Sequence, residues 1–299
     1  MEYILKTEGL TKVYAKQKAV DDVSLTILPG DIYGFVGKNG AGKTTFIRMI
    51  LGLTRSDSGS FSLFDGENVS KARKRIGSLV ESPALYPNMT AKENLEIFCS
   101  MLGEDKNQVG EILEKVGLAD TGKKKAGDFS LGMKQRLGIA MALVGDPELL
   151  ILDEPINGLD PTGIVEIREL ILELKNKHKK TVFISSHLLG ELEKIATRYG
   201  IIAKGRLIEE ITAEELEKKC GSRTSVKTND PKKAMEIIKK LLNIENVEID
   251  AKGTILIGDP VKNIGEITNE LFKNDIVVEG ISTSDSSAES YFIKKMEEG

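Results

Sequence analysis

The chain has 299 residues, room for one large domain or two smaller ones, and its 40% apolar content is enough to bury a sizeable core. Acidic and basic residues are mixed along it and the formal net charge is −4, so the charge gives no sign of a nucleic-acid partner, which normally leaves a basic stripe. No apolar run approaches the roughly 18 residues needed to cross a bilayer, and the opening MEYILKTEGLTKVY has no basic segment leading into a long apolar one; neither a membrane span nor a signal peptide is expected, and the expected compartment is the cytosol. The two cysteines, Cys99 and Cys220, stand far apart with no metal-like spacing and read as free thiols.

Residues 1–215 alternate strand-like and helix-like stretches. IYGFVG (32–37) is a short apolar run ending at a glycine, and KTTFIRMILGL (43–53) follows with helical spacing of its apolar residues. Between them lies GKNGAGKTT (37–45), which satisfies G-x-x-x-x-G-K-[ST]. In such a loop Gly37, Gly40 and Gly42 let the backbone curl, so that N–H groups from Gly37, Asn39, Gly40, Ala41 and Gly42 can face a phosphate, and the helix that follows adds its positive end. Lys43 can reach the β and γ phosphates, Thr44 can offer its hydroxyl to Mg²⁺, and Thr45 can support the phosphate from the same turn. The bland alternative is a chance match in a glycine-containing turn; the strand before and the helix after argue against it.

The strand IGSLVE (76–81) comes next, and then a stretch with few strand signals, about 86–147. Its pattern (NLEIFCSMLG, VGEILEKVGL, MKQRLGIAMALVG) is helical and reads as an inserted helical subdomain. LLILDEP (149–155) is a buried-strand candidate from whose end Asp153 and Glu154 emerge. Open α/β sheets hold their ligands at the carboxyl ends of strands, so Asp153 can hold Mg²⁺ and Glu154 can orient or deprotonate a water attacking the γ phosphate. GIVEIRELILELKNK (163–177) reads as an amphipathic helix. TVFISSH (181–187) is a further buried strand that brings His187 to the same edge, where an imidazole could touch phosphate and water; a lone histidine is otherwise more often structural. His178, in KNKHKK, reads as solvated helix surface.

The composition then shifts. EELEKKCGSRTSV (214–226) is polar, contains the Gly–Ser pair at 221–222, and suits a short linker. Beyond it VKT, PKKAMEIIKKLLN, NVEID and TILIGD around the turn AKG, VKNIGEITNELFKN, and DIVVEGIS give the order β-α-β-β-α-β, a split βαβ or ferredoxin-like α+β arrangement. A short helix, AESYFIKKMEE, ends the chain. The expected division is a domain over 1–217 and a smaller one over 225–299.

These motifs together resemble the nucleotide-binding subunit of ABC transporters. FSLGMKQR (129–136) is similar to the family's signature loop, with Ser130 and Gly132 at the two positions that usually touch nucleotide, Leu131 replacing the family residue between them, and Met133 where glutamine is commonest. NGLDP (157–161) matches the D-loop, His187 the switch histidine, and Tyr14 the aromatic that stacks on adenine. The resemblance covers residues 1–215. It implies a P-loop NTPase fold, a RecA-like α/β core with antiparallel β and inserted helical subdomains. It implies ATP hydrolysis with Mg²⁺, in a head-to-tail dimer with a second copy or a paralogous ATPase subunit, where the signature of one subunit closes over ATP held by the other. It also implies separate integral membrane permease subunits and a location on the inner face of the cell membrane.

One departure stands out. The family usually has glutamine where this chain has Glu81, and the variant E-S-P-x-x-Y-P-N resembles a branch associated with bacitracin and lantibiotic export or self-immunity. A carboxylate there could bind Mg²⁺ more strongly than an amide; the alternative is that Glu81 forms a surface salt bridge. PALYPNMT, which follows, resembles the dock for the membrane subunit, with Leu85 and Tyr86 as its apolar contacts. The expected function is ATP-driven export of an antimicrobial peptide or similar amphipathic compound. The rival reading, a soluble ABC-type ATPase acting on DNA or ribosomes, usually calls for two ATPase domains or a long coiled-coil insertion, and this chain has one phosphate loop.

Overall fold

The protein, seen in a computed structural model that describes residues 1–220, 223–242, 244, 247–250, 253–257, 264–284 and 288–298, opens with the antiparallel strands β1 (Leu5–Tyr14), β2 (Gln17–Val23) and β3 (Thr26–Ile27). The strand β4 (Ile32–Val36) and helix α1 (Lys43–Leu51) follow, and then β5 (Ser58–Leu63), which pairs antiparallel with β1. Helix α2 (Val69–Ala72) leads to β6 (Ile76–Leu79). The expected helical stretch is α3 (Ala91–Leu102), α4 (Val109–Lys115) and α5 (Leu131–Ala142). The core resumes with β7 (Leu149–Asp153), α6 (Pro161–Asn176), β8 (Thr181–Ser186), α7 (Leu189–Leu192), β9 (Arg198–Ala203) and β10 (Arg206–Thr212).

The larger sheet runs β10-β9-β4-β8-β7-β6. Pairing is parallel from β9 through β6, and only β10 turns back antiparallel on β9. Every residue of β4, β7 and β8 is buried. That is why these strands read as mostly apolar runs rather than alternations: both faces of a parallel sheet are covered. Helix α6 starts at Asp160, whose side chain caps the Gly163 N–H, with Pro161 in the first turn. It buries Ile167, Leu170, Ile171 and Leu174, one helical face. Helix α3 begins with a capping box, Thr90 against Glu93.

An aromatic cluster fixes the helix that matters most. Phe46 of α1 lies 5.1 Å from Phe35 of β4 and 6.0 Å from Phe183 of β8, ring centre to ring centre. All three are buried. Burial of each such side chain contributes about 1.5–3 kcal/mol, so the start of α1 is held against the two strands that carry the site.

The chain divides into two compact units, Met1–Ala213 with Lys294–Gly299, and Glu214–Ile293. The expected linker is in part a helix, α8 (Ala213–Cys220). Its polar sequence conceals one buried residue, Leu216, and its charges, Glu214 and Glu215 early and Lys218 and Lys219 late, suit the helix dipole. The Gly221–Ser222 pair lies outside the described residues. The second unit has β11 (Arg223–Thr228), α9 (Pro231–Leu242), β12 (Val247–Ile249), β13 (Ile255–Ile257), α10 (Ile264–Lys273) and β14 (Val278–Ser284). Their sheet is antiparallel in the order β12-β13-β11-β14, the ferredoxin-like arrangement. Ala234 and Ile238 of α9 and Ile267 and Leu271 of α10 are buried with Val226, Val247, Ile255 and Ile257. Ala251 and Lys252 of the expected turn are outside the described residues. Helix α11 (Ala288–Glu298) ends the described chain. Among the described residues no helix is long and apolar enough to cross a membrane.

Candidate active site

Strand register builds the site. Val36 of β4 is level with Ser186 of β8, and Asp153 of β7 is level with Ser185. The residues that follow, Gly37, His187 and Glu154, therefore leave the sheet side by side. The two ends of the loop, Gly37 and Gly42, sit where backbone contacts exclude a side chain. At Gly42, with φ 110°, a Cβ would lie 2.3 Å from the Ala19 carbonyl oxygen, and at Gly37 one would lie 2.5 Å from that of Ile202. Gly42 also caps α1 at its N-terminal end, whose first N–H groups have no partner within the helix. Thr44 and Thr45 sit in that first turn.

The structure brings five predicted residues into one connected group. Lys43 is buried and its ammonium donates to the Gly37 carbonyl at 2.7 Å and the Lys38 carbonyl at 3.3 Å. It also lies 3.1 Å from Glu154 Oε1. That oxygen is buried without an aligned hydrogen bond, so the Lys43 contact is one of charge alone. Glu154 Oε2 is 2.8 Å from His187 Nδ1. Thr44 Oγ1 donates to Asp153 Oδ2 at 2.8 Å. Asp153 is 1% exposed, and Ser185 Oγ donates to its other oxygen. The Glu154 backbone has φ 50°, an unfavourable left-handed conformation for a side-chain-bearing residue, costing about 1–3 kcal/mol. Ser185 helps hold it, since its Oγ accepts the Glu154 N–H at 3.0 Å.

Sequence reading missed Ser185. It lies in the apolar run TVFISS, and only the register reveals that its hydroxyl serves both acids. His178 also differs from expectation: it lies just past the end of α6, half-buried.

Asp153 and Thr44 fit a small hard cation. Both donors are oxygen, they are already within hydrogen-bond distance of each other, and the partners of the buried carboxylate are hydroxyls. Mg²⁺ typically takes few protein ligands and completes its shell with water and phosphate, so two oxygen donors are enough to hold it.

Glu81 is not in this group. Its carboxylate pairs with the guanidinium of Arg48 on α1, and its side chain is 61% exposed. Here Glu81 forms the surface ion pair that was the alternative expectation. Arg48, near the C-terminal end of α1, provides the charge partner that the sequence reading had not located. Glu81 itself has φ 60°.

A cavity of about 640 Å³ adjoins the phosphate loop. Asn39, Gly40 and Ala41 form one wall, Tyr14 and Ala19 another, and the turn Lys204–Gly205 a third. Tyr14 is 47% exposed, with the Lys12 ammonium 5.4 Å from its ring centre. Ser130 and Gly132 line a different cavity, of about 480 Å³, with Gly158 and Asp160. Ser130 caps α5, accepting the Met133 N–H at 3.2 Å, and Leu131 is 48% exposed beside it.

The ABC transporter family matches residues 20–157. The chain is 46% identical over 299 residues to the bacitracin transport ATP-binding protein BcrA of Bacillus licheniformis, covering 98% of this chain and 97% of that one. The chain belongs to the ABC transporter family. It is also 44% identical over 208 residues to the lantibiotic transport ATP-binding protein SrtF of Streptococcus pyogenes, covering 69% of this chain and 90% of that one. Among solved structures it is similar to the ADP conformation of MJ1267, an ATP-binding cassette of an ABC transporter, with TM-score 0.64 and 27% identity over 72% of this chain and 93% of that one. The protein is thus an ABC ATPase with the P-loop NTPase fold, and it binds and hydrolyses ATP as part of a transporter. The reading as an ATPase acting on DNA or ribosomes has no support.

Proposed function

We propose that this subunit powers export of an antimicrobial peptide or similar amphipathic compound, with the chemistry divided among residues as follows. Gly37, Asn39, Gly40, Ala41, Gly42 and Thr45 cradle the phosphates through backbone N–H groups and the end of α1. Lys43 exchanges its carbonyl partners for β- and γ-phosphate oxygens, and Tyr14 stacks on adenine. Thr44 and Asp153 hold Mg²⁺, which when bound neutralises charge on the phosphates. Glu154 orients and deprotonates the attacking water, and His187 holds Glu154 and the γ phosphate in line. The observation that carries this reading is the connected group Lys43–Glu154–His187, with contacts of 3.1 Å and 2.8 Å.

Ser130 and Gly132, apart from this group, serve the nucleotide of a second subunit in a head-to-tail dimer. The exposed Leu131 at the mouth of their cavity suits such a face. Residues 1–217 act as the ATPase domain, with the helical part over 86–147, and 225–299 as an accessory domain. Tyr86, 48% exposed, offers an apolar contact for a separate membrane permease, which would keep the protein on the inner face of the membrane. The names of the relatives that span most of this chain support the peptide substrate. Co-expression with a candidate membrane permease tests the whole: the two should co-purify, and peptide should stimulate ATP hydrolysis in the reconstituted pair. A subunit that neither co-purifies nor responds refutes the reading.

A further inference from the structure

The cavity beside the phosphate loop has one wall that comes from far along the chain. Met296, on the last turn of α11, lines it together with Tyr14, Ala19 and the Lys204–Gly205 turn. Met296 is 8% exposed. Residues Lys294–Gly299 group with the first unit, so this wall belongs to the same compact body as the phosphate loop. Two further contacts hold the arrangement. Lys295 lies 3.5 Å from Glu209 of β10, which ties the turn to the strand that begins after Gly205. The Gly205 N–H donates to the Ala41 carbonyl at 3.0 Å, which ties the same hairpin to the phosphate loop.

A bound nucleotide has its polarity set by the loop. With phosphates on the N–H groups and Lys43, the base extends toward Tyr14 and the far end of the cavity. A purine presents flat, polarisable faces, and a thioether is a good partner for them. We propose that Met296 contacts the base alongside Tyr14, so that the last helical turn of the chain is a wall of the ATP site and nucleotide binding stabilises that turn in place. The inference rests on the reading of this cavity as the nucleotide site and adds a base-contacting residue to it. Linkage makes the effect reciprocal: if the docked turn strengthens ATP binding, ATP must strengthen docking by the same factor.

The test compares ATP with inorganic tripolyphosphate, which has the phosphates and no base, on the full-length protein. Met296→Ala should weaken ATP binding about two- to tenfold, the range expected for loss of one sulfur–aromatic contact, and leave tripolyphosphate binding unchanged. Met296→Leu should recover part of the loss. ATP, unlike tripolyphosphate, should slow amide exchange at residues 294–298. Lys43→Ala is the control and should weaken both probes. If it does so while Met296→Ala leaves ATP affinity unchanged, or weakens both probes equally, the role of Met296 is refuted and the nucleotide site stands. If Lys43→Ala changes neither probe, the reading of the cavity falls, and the proposal with it.

Discussion

Glu154→Gln is the most informative single perturbation, because three constraints converge on this side chain. Lys43 lies 3.1 Å from one oxygen and His187 2.8 Å from the other, and the backbone sits at φ 50°. The substitution keeps the shape and removes the charge and the base. Loss of a positioned general base costs about 10²–10⁴ in rate, equivalent to about 2.7–5.4 kcal/mol of barrier. Binding should move the other way. A carboxylate facing the γ phosphate repels it, so the neutral amide should leave ATP affinity equal or higher. Stability should change little, since Lys43 keeps its two carbonyl partners and the backbone strain is unaltered. The assay is phosphate release with Mg-ATP, paired with titration of a fluorescent nucleotide and size-exclusion chromatography, in which an ATP-bound dimer should accumulate. Turnover within about threefold of the parent would refute the assignment and move the role to His187 or Glu81.

Lys43→Ala should abolish hydrolysis and weaken ATP binding at least tenfold while the fold persists by circular dichroism; unchanged binding would contradict the phosphate-loop assignment. Gly42→Ala should also abolish nucleotide binding, since its Cβ would lie 2.3 Å from the Ala19 carbonyl oxygen, and a variant that still binds ATP normally would show that the loop can shift at no cost. Glu81→Gln breaks a pair whose side chains are 41% and 61% exposed, so the melting temperature should move by about 2 °C or less, while the Mg²⁺ concentration for half-maximal ATPase activity and the stimulation by the permease should both change; if neither does, Glu81 is a surface residue only. Glu210 is exposed as a residue, but its carboxyl accepts a hydrogen bond from the buried Tyr33 and is desolvated there, which raises its pKa above the usual carboxylate value. The fold therefore disfavours its ionised form, and the resulting penalty grows as pH rises through the shifted pKa. Glu210→Gln should match or exceed the parent in melting temperature at pH 8 and lose that advantage in acid; a variant less stable at pH 8 than at pH 5, relative to the parent, would refute this.

The parts of the fold legible in the sequence were those where local pattern and packing agree. The runs in β4, β7 and β8 are mostly apolar because both faces of each are buried, and Gly37 and Gly42 of the phosphate loop are required by backbone contacts that leave no room for a Cβ. Helix α8 resembles a linker in sequence because its composition is polar and a single buried leucine leaves no periodic signal. Ser185 was illegible for a different reason. A serine in an apolar strand could face either side, and its link to Asp153 and Glu154 depends on a register with a strand some thirty residues earlier. Met296 depends on contacts across most of the chain, which no local pattern encodes.

Glu81 marks the limit of reading by resemblance. Its place at the end of the chain segment after β6 was taken from a family in which glutamine stands there, and an amide carries no charge to balance. A carboxylate does, and in this protein Arg48 on the phosphate-loop helix balances it. The pair is exposed on both sides, so water competes for each partner and the contact is weak. Such a pair costs little to break, whereas a buried one would hold both partners. Arg48 lies on the same helix as Lys43 and Thr44, near its opposite end. The helix that follows the phosphate loop thus also carries the counter-charge for the segment leading to Tyr86, and the carboxylate at this position is balanced by that cation.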